Sequence, residues 1–149
     1  MNLKQQLTEA MKTAMKAKDS LRLSVVRMIL AAVKNREIEQ RRDLDDEEVL
    51  GVLTTLAKQR REAAQAYRDG GREDLAAKEE AELAMLQDFL PAPLTREELV
   101  ALIERAVVET GAASMKDMGK VMKIVSAETL GRADGKTVSD LVKARLSAT

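Results

Sequence analysis

Both prolines of the chain, Pro91 and Pro93, fall in one short stretch, Pro91-Ala92-Pro93-Leu94-Thr95, and on either side of it apolar residues recur at helical spacing almost throughout. Proline lacks the amide hydrogen that a helix interior needs and pushes the residue before it into extended backbone, so no helix runs through this stretch. Nowhere do apolar and polar residues alternate as they do in a half-buried strand. The pattern predicts an all-α protein, with an N-terminal four-helix domain over residues 1–92 and a small C-terminal three-helix domain over residues 95–149.

The first helix is expected over about Leu3 to Ala17, with Leu3, Leu7, Met11 and Met15 on one stripe, and Asp19 and Ser20 offer a cap for the second. The second, Leu21 to about Gln40, is the most hydrophobic. Leu21, Val25, Met28 and Ala32 form one row, and Val26, Ile29, Leu30 and Val33 widen it, as expected of a central helix. Asp45 followed by Glu48 resembles a capping box for a third helix reaching about Arg68, with Val49, Leu53, Leu56, Ala63, Ala64 and Tyr67 facing inward. Gly70 and Gly71 end it. A fourth, about Arg72 to Leu90, sets Leu75, Leu83, Leu86 and Leu90 at useful spacing, and its acids Glu79, Glu80 and Glu82 read as an exposed face and not as a general acid/base pair.

Beyond the prolines, Thr95 with Glu98, Ser114 with Asp117 and Thr137 with Asp140 each precede an apolar-periodic segment in the manner of capping boxes. They predict helices over about Arg96 to Thr110, Met115 to Leu130 and Val138 to Leu146, with Gly111 and Gly131 where left-handed C-terminal caps are wanted. The expected core is Leu99, Leu102, Ile103, Ala106, Met118, Val121, Met122, Val125, Val138, Leu141, Val142 and Leu146. A unit of about 55 residues is marginally stable alone, and its methionines leave it adaptable.

Cysteine and histidine are both absent, which removes disulfides, thiolate nucleophiles, typical zinc sites and the commonest general base. No catalytic residue, metal or cofactor is therefore expected. With 25 basic and 25 acidic side chains the chain has no net field to draw in nucleic acid or membrane, so such a partner must meet a local patch. The only aromatics are Tyr67 and Phe89, too few for a platform on which bases stack. The longest apolar run, Met28 to Val33, is far too short to span a bilayer, and the first apolar residues are interleaved with Lys4, Lys12, Lys16 and Lys18. The simplest expectation is a cytoplasmic, bacterial-type protein with no membrane partner.

Two basic clusters stand out locally. Between Lys16 and Arg42 lie Lys16, Lys18, Arg22, Arg27, Lys34, Arg36, Arg41 and Arg42, extended by Lys58, Arg60 and Arg61, and the nearby acids Asp43, Asp45, Asp46, Glu47 and Glu48 suggest pairing between helices. In the C-terminal domain, Lys116, Lys120 and Lys123 are spaced to stack on one helix face beside the apolar stripe. Gly119 sits among them. A glycine inside a helix costs about 1 kcal/mol against alanine and asks for a compensation: either a neighbouring helix crosses closely there, or a phosphate or sugar comes close to the backbone. A solvated helix face would carry lysines at the same spacing. Downstream, Asp134-Gly135 is a tight-turn signature, and Thr137 caps a helix whose first amides, with Arg132 and Lys136 close by, form an anion-binding arrangement. Gly131 to Gly135 is one residue short of the phosphate-binding loop that "GKT" suggests.

The stretches "LRLSVVRMILAAVKNREIEQRR" and "ETGAASMKDMGKVMKIVSAETLGRADGKTVSDLVKARL" resemble the GatB/YqeY family over nearly the whole chain, most specifically in "KDMGKVMK" and "GRADGK". The resemblance implies a C-terminal unit similar to the tail of the B subunit of the tRNA-dependent amidotransferase, where the tail contacts tRNA. Carried over by position, that tail's Gly-x-Val-Met-Lys element falls on Gly119, Val121, Met122 and Lys123, and its Gly-basic-Ala element on Gly131, Arg132 and Ala133. The catalytic portion of that subunit is absent, so the family's carbon-nitrogen ligase label, with glutamine as amide donor, would belong to the shared domain by inheritance alone. The resemblance implies an RNA-contacting role for Lys116, Gly119, Lys120, Lys123, Arg132 and Lys136, with tRNA or another structured RNA as partner and amidotransferase or aminoacyl-tRNA synthetase components as further partners. The other open readings are a protein-binding adaptor whose methionine-rich small domain docks on a helical partner, and an accessory amidotransferase component active only beside partner subunits.

Overall fold

A computed structural model describes residues 2–148. The expected all-α class holds: among the described residues there are helices α1 (Leu3–Ala17), α2 (Ser20–Gln40), α3 (Asp46–Asp69), α4 (Glu73–Gln87), α5 (Arg96–Thr110), α6 (Met118–Thr129) and α7 (Gly135–Ser147), a short 3-10 turn at Met115–Asp117, and no strand. The chain divides into two compact units, Met1–Pro91 and Ala92–Thr149.

In the first unit, helix starts are set by side chains that take up free amides. Asn2 and Gln5 form a capping box at α1, Asp19 accepts from the Arg22 amide at α2, and Asp45 and Glu48 form a second box at α3. The ends differ from one another. α3 stops at Gly70, followed by Gly71 at φ 75°, whereas α1 and α2 close on left-handed residues that are not glycine, Lys18 and Arg41, both at φ 56°. α4 stops at Gln87, short of the expected Leu90. Pro91 keeps the residues before it from continuing the helix, and Asp88, Phe89 and Leu90 instead donate to the carbonyls three residues back.

α2 packs against α1, α3 and α4, which gives it the central place its hydrophobicity predicts. Leu7, Val25, Ile29, Val33, Val49, Leu53 and Leu86 form the core, closed by Leu44 from the connection between α2 and α3. Three expected core positions face water instead: Met15 is 50% exposed, Leu21 38% and Tyr67 36%. Residues four apart advance about 40° around a helix, so a Leu3, Leu7, Met11, Met15 row has turned about 120° by its end. Ala14 is buried in the place of Met15.

Charged groups tie the helices together at particular points. Glu37, buried on α2, accepts from Lys4 Nζ of α1 at 2.6 Å and from the Leu44 amide at 2.9 Å. The Lys4 bond, then the Leu44 amide, holds its carboxyl below the usual range. On α3, Arg60 lies 2.9 Å from Glu82 and 3.5 Å from Glu79 of α4, each about four-fifths buried, and also touches Met28. Arg68 pairs with Glu80. The acids of α4, expected on an exposed face, thus serve the α3–α4 contact. Arg22 pairs with Asp88 at 3.0 Å and stands over the Phe89 ring.

In the second unit α5, α6 and α7 all pack on one another. The Thr95–Glu98 box opens α5, and Gly111 at φ 67° closes it. Every expected core residue lies in the cluster or against it, joined by Val107 and Leu94. Arg145 of α7 makes a two-pronged pair with Glu104 of α5, at 2.6 and 3.0 Å.

Leu53 is fully buried, so Leu53→Ala removes core contacts without a surface to relax toward and lowers stability by about 2–5 kcal/mol, read from urea unfolding. For Glu37, whose folded pKa lies below its unfolded one, the stabilisation is present above the ordinary carboxylate range and is lost as pH falls from about 4.3 through the folded value. Glu37→Gln therefore flattens the acid limb of the stability curve, and an unchanged acid limb contradicts the assignment.

Candidate functional site

The segment from Ser114 carries four of the six residues singled out in the sequence, Lys116, Gly119, Lys120 and Lys123. It is not one helix from Met115, as the periodicity suggests. Asp117 accepts from the amides of Ala113 (2.9 Å) and Ser114 (3.3 Å), while Ser114 accepts from the Lys116 amide, and this exchange tightens the first residues into a 3-10 turn before α6 begins at Met118. The two amides, Ala113 first, hold the Asp117 carboxyl below its usual range, and the charges of Lys120 and Lys116 add to this. Lys120 Nζ is 4.0 Å from Asp117, so one cation of the ridge has a carboxylate nearby.

Gly119 therefore lies in the first turn of α6 and not in a helix interior. A Cβ placed on it would meet nothing within 4 Å, so no neighbouring helix crosses at this point. The packing explanation for this glycine is removed. Lys116, Gly119, Lys120 and Lys123 are all exposed, and neither Lys116 nor Lys123 has an ion pair among the described residues.

Arg132 and Lys136 come after the C-terminal end of α6, which at twelve residues is about 18 Å long. Arg132 follows Gly131, which adopts φ 76° just past the helix. Its amide donates to the Thr129 carbonyl at 2.8 Å, its carbonyl accepts from the Leu94 amide at 2.9 Å, and its Nε donates to the Ala92 carbonyl at 3.0 Å. It fastens the entering segment to the α6–α7 connection. Lys136 stands exposed in the first turn of α7. Gly119, Lys120 and Lys123 lie on α6, Lys116 in the turn before it, and Arg132 and Lys136 after it.

The α7 cap differs from expectation. Asp134, not Thr137, is the capping residue: its Oδ2 accepts from both the amide and the hydroxyl of Thr137 at 3.3 Å, and α7 begins at Gly135, three residues before Val138. Aspartate caps at least as well as threonine, and once it does so Thr137 falls at the third helical position. Among the described residues no three acidic side chains cluster to hold a metal ion. An apolar feature not expected from the sequence lies on the outer face of α5, where Val108 (73% exposed) and Val100 (46%) line two neighbouring shallow recesses that share Ala101 and Glu104. Two valines off the buried stripe were the available signal. Met118 and Met122 pack against the core as expected, and Met115 is 43% exposed.

An all-helical protein in two units, with exposed lysines beside Gly119 and no acidic metal-ligand cluster among the described residues, is the class these features define. The family model of YqeY-like proteins matches residues 4–146, and the chain belongs to that family. Among curated relatives, "Altered inheritance of mitochondria protein 41, mitochondrial" of Vanderwaltozyma polyspora is 40% identical over 56% of this chain and 46% of its own length. The Eremothecium gossypii protein of that name is 37% identical over 58% and 48%, and that of Kluyveromyces lactis 30% identical over 95% and 75%. The chain thus spans about half the length of the first two. These names overturn the cytoplasmic, bacterial-type expectation, because the relatives are yeast proteins named as mitochondrial. An organelle address is read from a short segment by a receptor, so the lack of a long apolar run does not discriminate between compartments.

Asp134→Ala lowers stability by about 1 kcal/mol and speeds hydrogen exchange in the first turns of α7, whereas Thr137→Ala has a smaller effect. The reverse order would restore Thr137 as the cap.

Proposed function

We propose that this chain is a non-catalytic module that contacts tRNA or another structured RNA through its backbone, working as an N-terminal helical domain (1–92) and a C-terminal three-helix domain (95–149). The observation that carries the reading is Gly119: an exposed glycine with open space where its side chain would be, flanked by the exposed Lys116, Lys120 and Lys123. Folding gives no reason for it, and a phosphate backbone brought against the helix does. The resemblance to the amidotransferase tail supports the same face. Lys116, Lys120, Lys123 and Lys136 neutralise phosphates, while Arg132, with its Nε already engaged, holds the connection that presents Lys136. With Tyr67 and Phe89 the only aromatics, contact is to backbone shape and not to stacked bases.

A second reading, a protein-binding adaptor, draws on the exposed Val100 and Val108 of α5 in place of the methionines. A complex that survives nuclease and is lost in Val108→Asp supports it. For an accessory amidotransferase role, addition of the chain to the purified enzyme changes the transamidation rate.

Electrophoretic mobility with tRNA across a salt series tests the main reading. Lys120→Ala with Lys123→Ala weakens binding and reduces the salt slope by about 2. Gly119→Ala leaves the fold intact, since a Cβ there meets nothing within 4 Å, and weakens binding by keeping the phosphate backbone off the helix. Absence of binding at low salt, or equal affinity in all variants, sinks the proposal.

A further inference from the structure

The basic cluster of the first unit was expected to be spent in pairing between helices, and the structure departs from that. Arg22 pairs with Asp88 and Arg42 with Glu48, but Arg27, Lys34 and Arg41 are exposed and take part in no ion pair among the described residues. Arg27 and Lys34 are seven residues apart and so share nearly the same face of α2, about 10 Å apart along it, and Arg41, the left-handed cap just past Gln40, stands at the end of the helix about 20 Å from Arg27. Ser20, Ser24, Ala31, Asn35 and Ile38 complete that face, all of them exposed and none acidic. The flanking carboxylates offset it only at one point, where the charge of Lys34 acts on Glu37. Glu37 is committed to Lys4 and the Leu44 amide, and Glu39 lies about 120° around the helix from Arg27. Lys18, the left-handed cap of α1, adds a further exposed cation just before α2 begins.

We infer that this face of α2 is a second contact surface for the phosphate backbone of structured RNA, separate from the band on α6. The spacing selects the ligand. With backbone positions about 20 Å apart, the first and last cations cannot both reach one phosphate, so a small anion gains little from the whole set, whereas a polymer of phosphates meets each in turn. A lipid surface would need an apolar face to bury, but Ile38 is the one large apolar residue on the stripe, and the opposite side of α2 is sealed in the core. The helix is rigid, being packed on three others, so the charges are held in place before any ligand arrives.

The inference rests on its own residues and is separable from the reading of α6. The full chain carrying R27Q, K34Q and R41N, the last chosen because asparagine tolerates the left-handed backbone, is titrated with a short RNA duplex and with bulk tRNA over a salt series. Vesicles of phosphatidylcholine and phosphatidylserine form a parallel arm. The triple variant is expected to bind RNA at least tenfold more weakly at low salt, with the salt slope reduced by about 2 to 3. A control with K12Q and K58Q, lysines already beside Glu9 and Glu62, leaves the slope nearly unchanged. Circular dichroism verifies helix content in each. Unchanged RNA affinity and slope in the triple variant, or wild-type binding to vesicles and not to RNA, overturns the α2 surface. Loss in the triple variant with none in the Lys120, Lys123 pair upholds it and removes the α6 reading, and the opposite pattern removes it alone.

Discussion

A carboxylate taken out of water must be met by donors or it destabilises the fold that buries it, and Glu37 is met from two sides at once. Lys4 reaches it from α1 and the Leu44 amide from the connection into α3, while Glu37 itself belongs to α2. The Leu44 side chain then enters the core, and the Leu3 amide donates to Asp46 at the start of α3. Lys4 lies 33 residues from Glu37 and Leu44 only seven, so the node ties α1 to the α2–α3 connection and helps set the register in which the apolar faces meet. Dispersion and burial supply the bulk of the stability, but they are tolerant of sliding. A single buried charge is not.

Local chemistry was legible, and long-range chemistry was not. The Asp45–Glu48 and Thr95–Glu98 boxes involve partners three residues apart and were read directly. Gly111 and Gly131 announced left-handed backbone in the same way. At Asp134 two capping residues competed within one loop, and the one nearer the helix was preferred when the earlier one acts. Met15 was misplaced because spacing by four drifts off the buried face. Arg60 finds Glu82, and Arg22 finds Asp88 66 residues away, which no spacing rule connects.

The candidate band had the same division. Lys116, Lys120 and Lys123 were visible as charges, and Gly119 as an anomaly, but whether a helix crossed there depended on tertiary packing. The open space around Gly119 settles that point. Arg132 looked from its neighbours like a free cation, and its bond to Ala92 reveals a duty within the unit. Val100 and Val108 were hidden because a helix rich in valine and alanine offers several plausible buried stripes.

The left-handed closures at Lys18 and Arg41 have a meaning beyond ending helices. A side chain held in that conformation costs about 1–2 kcal/mol that glycine would avoid, while a cation at a helix C-terminus recovers about 0.3–1 kcal/mol through the dipole. The two effects oppose each other at the same atom positions. One residue at each site thus carries both, and a change to glycine would relax the backbone and discharge the surface together, whereas Arg41→Gln would discharge the surface and leave the strain.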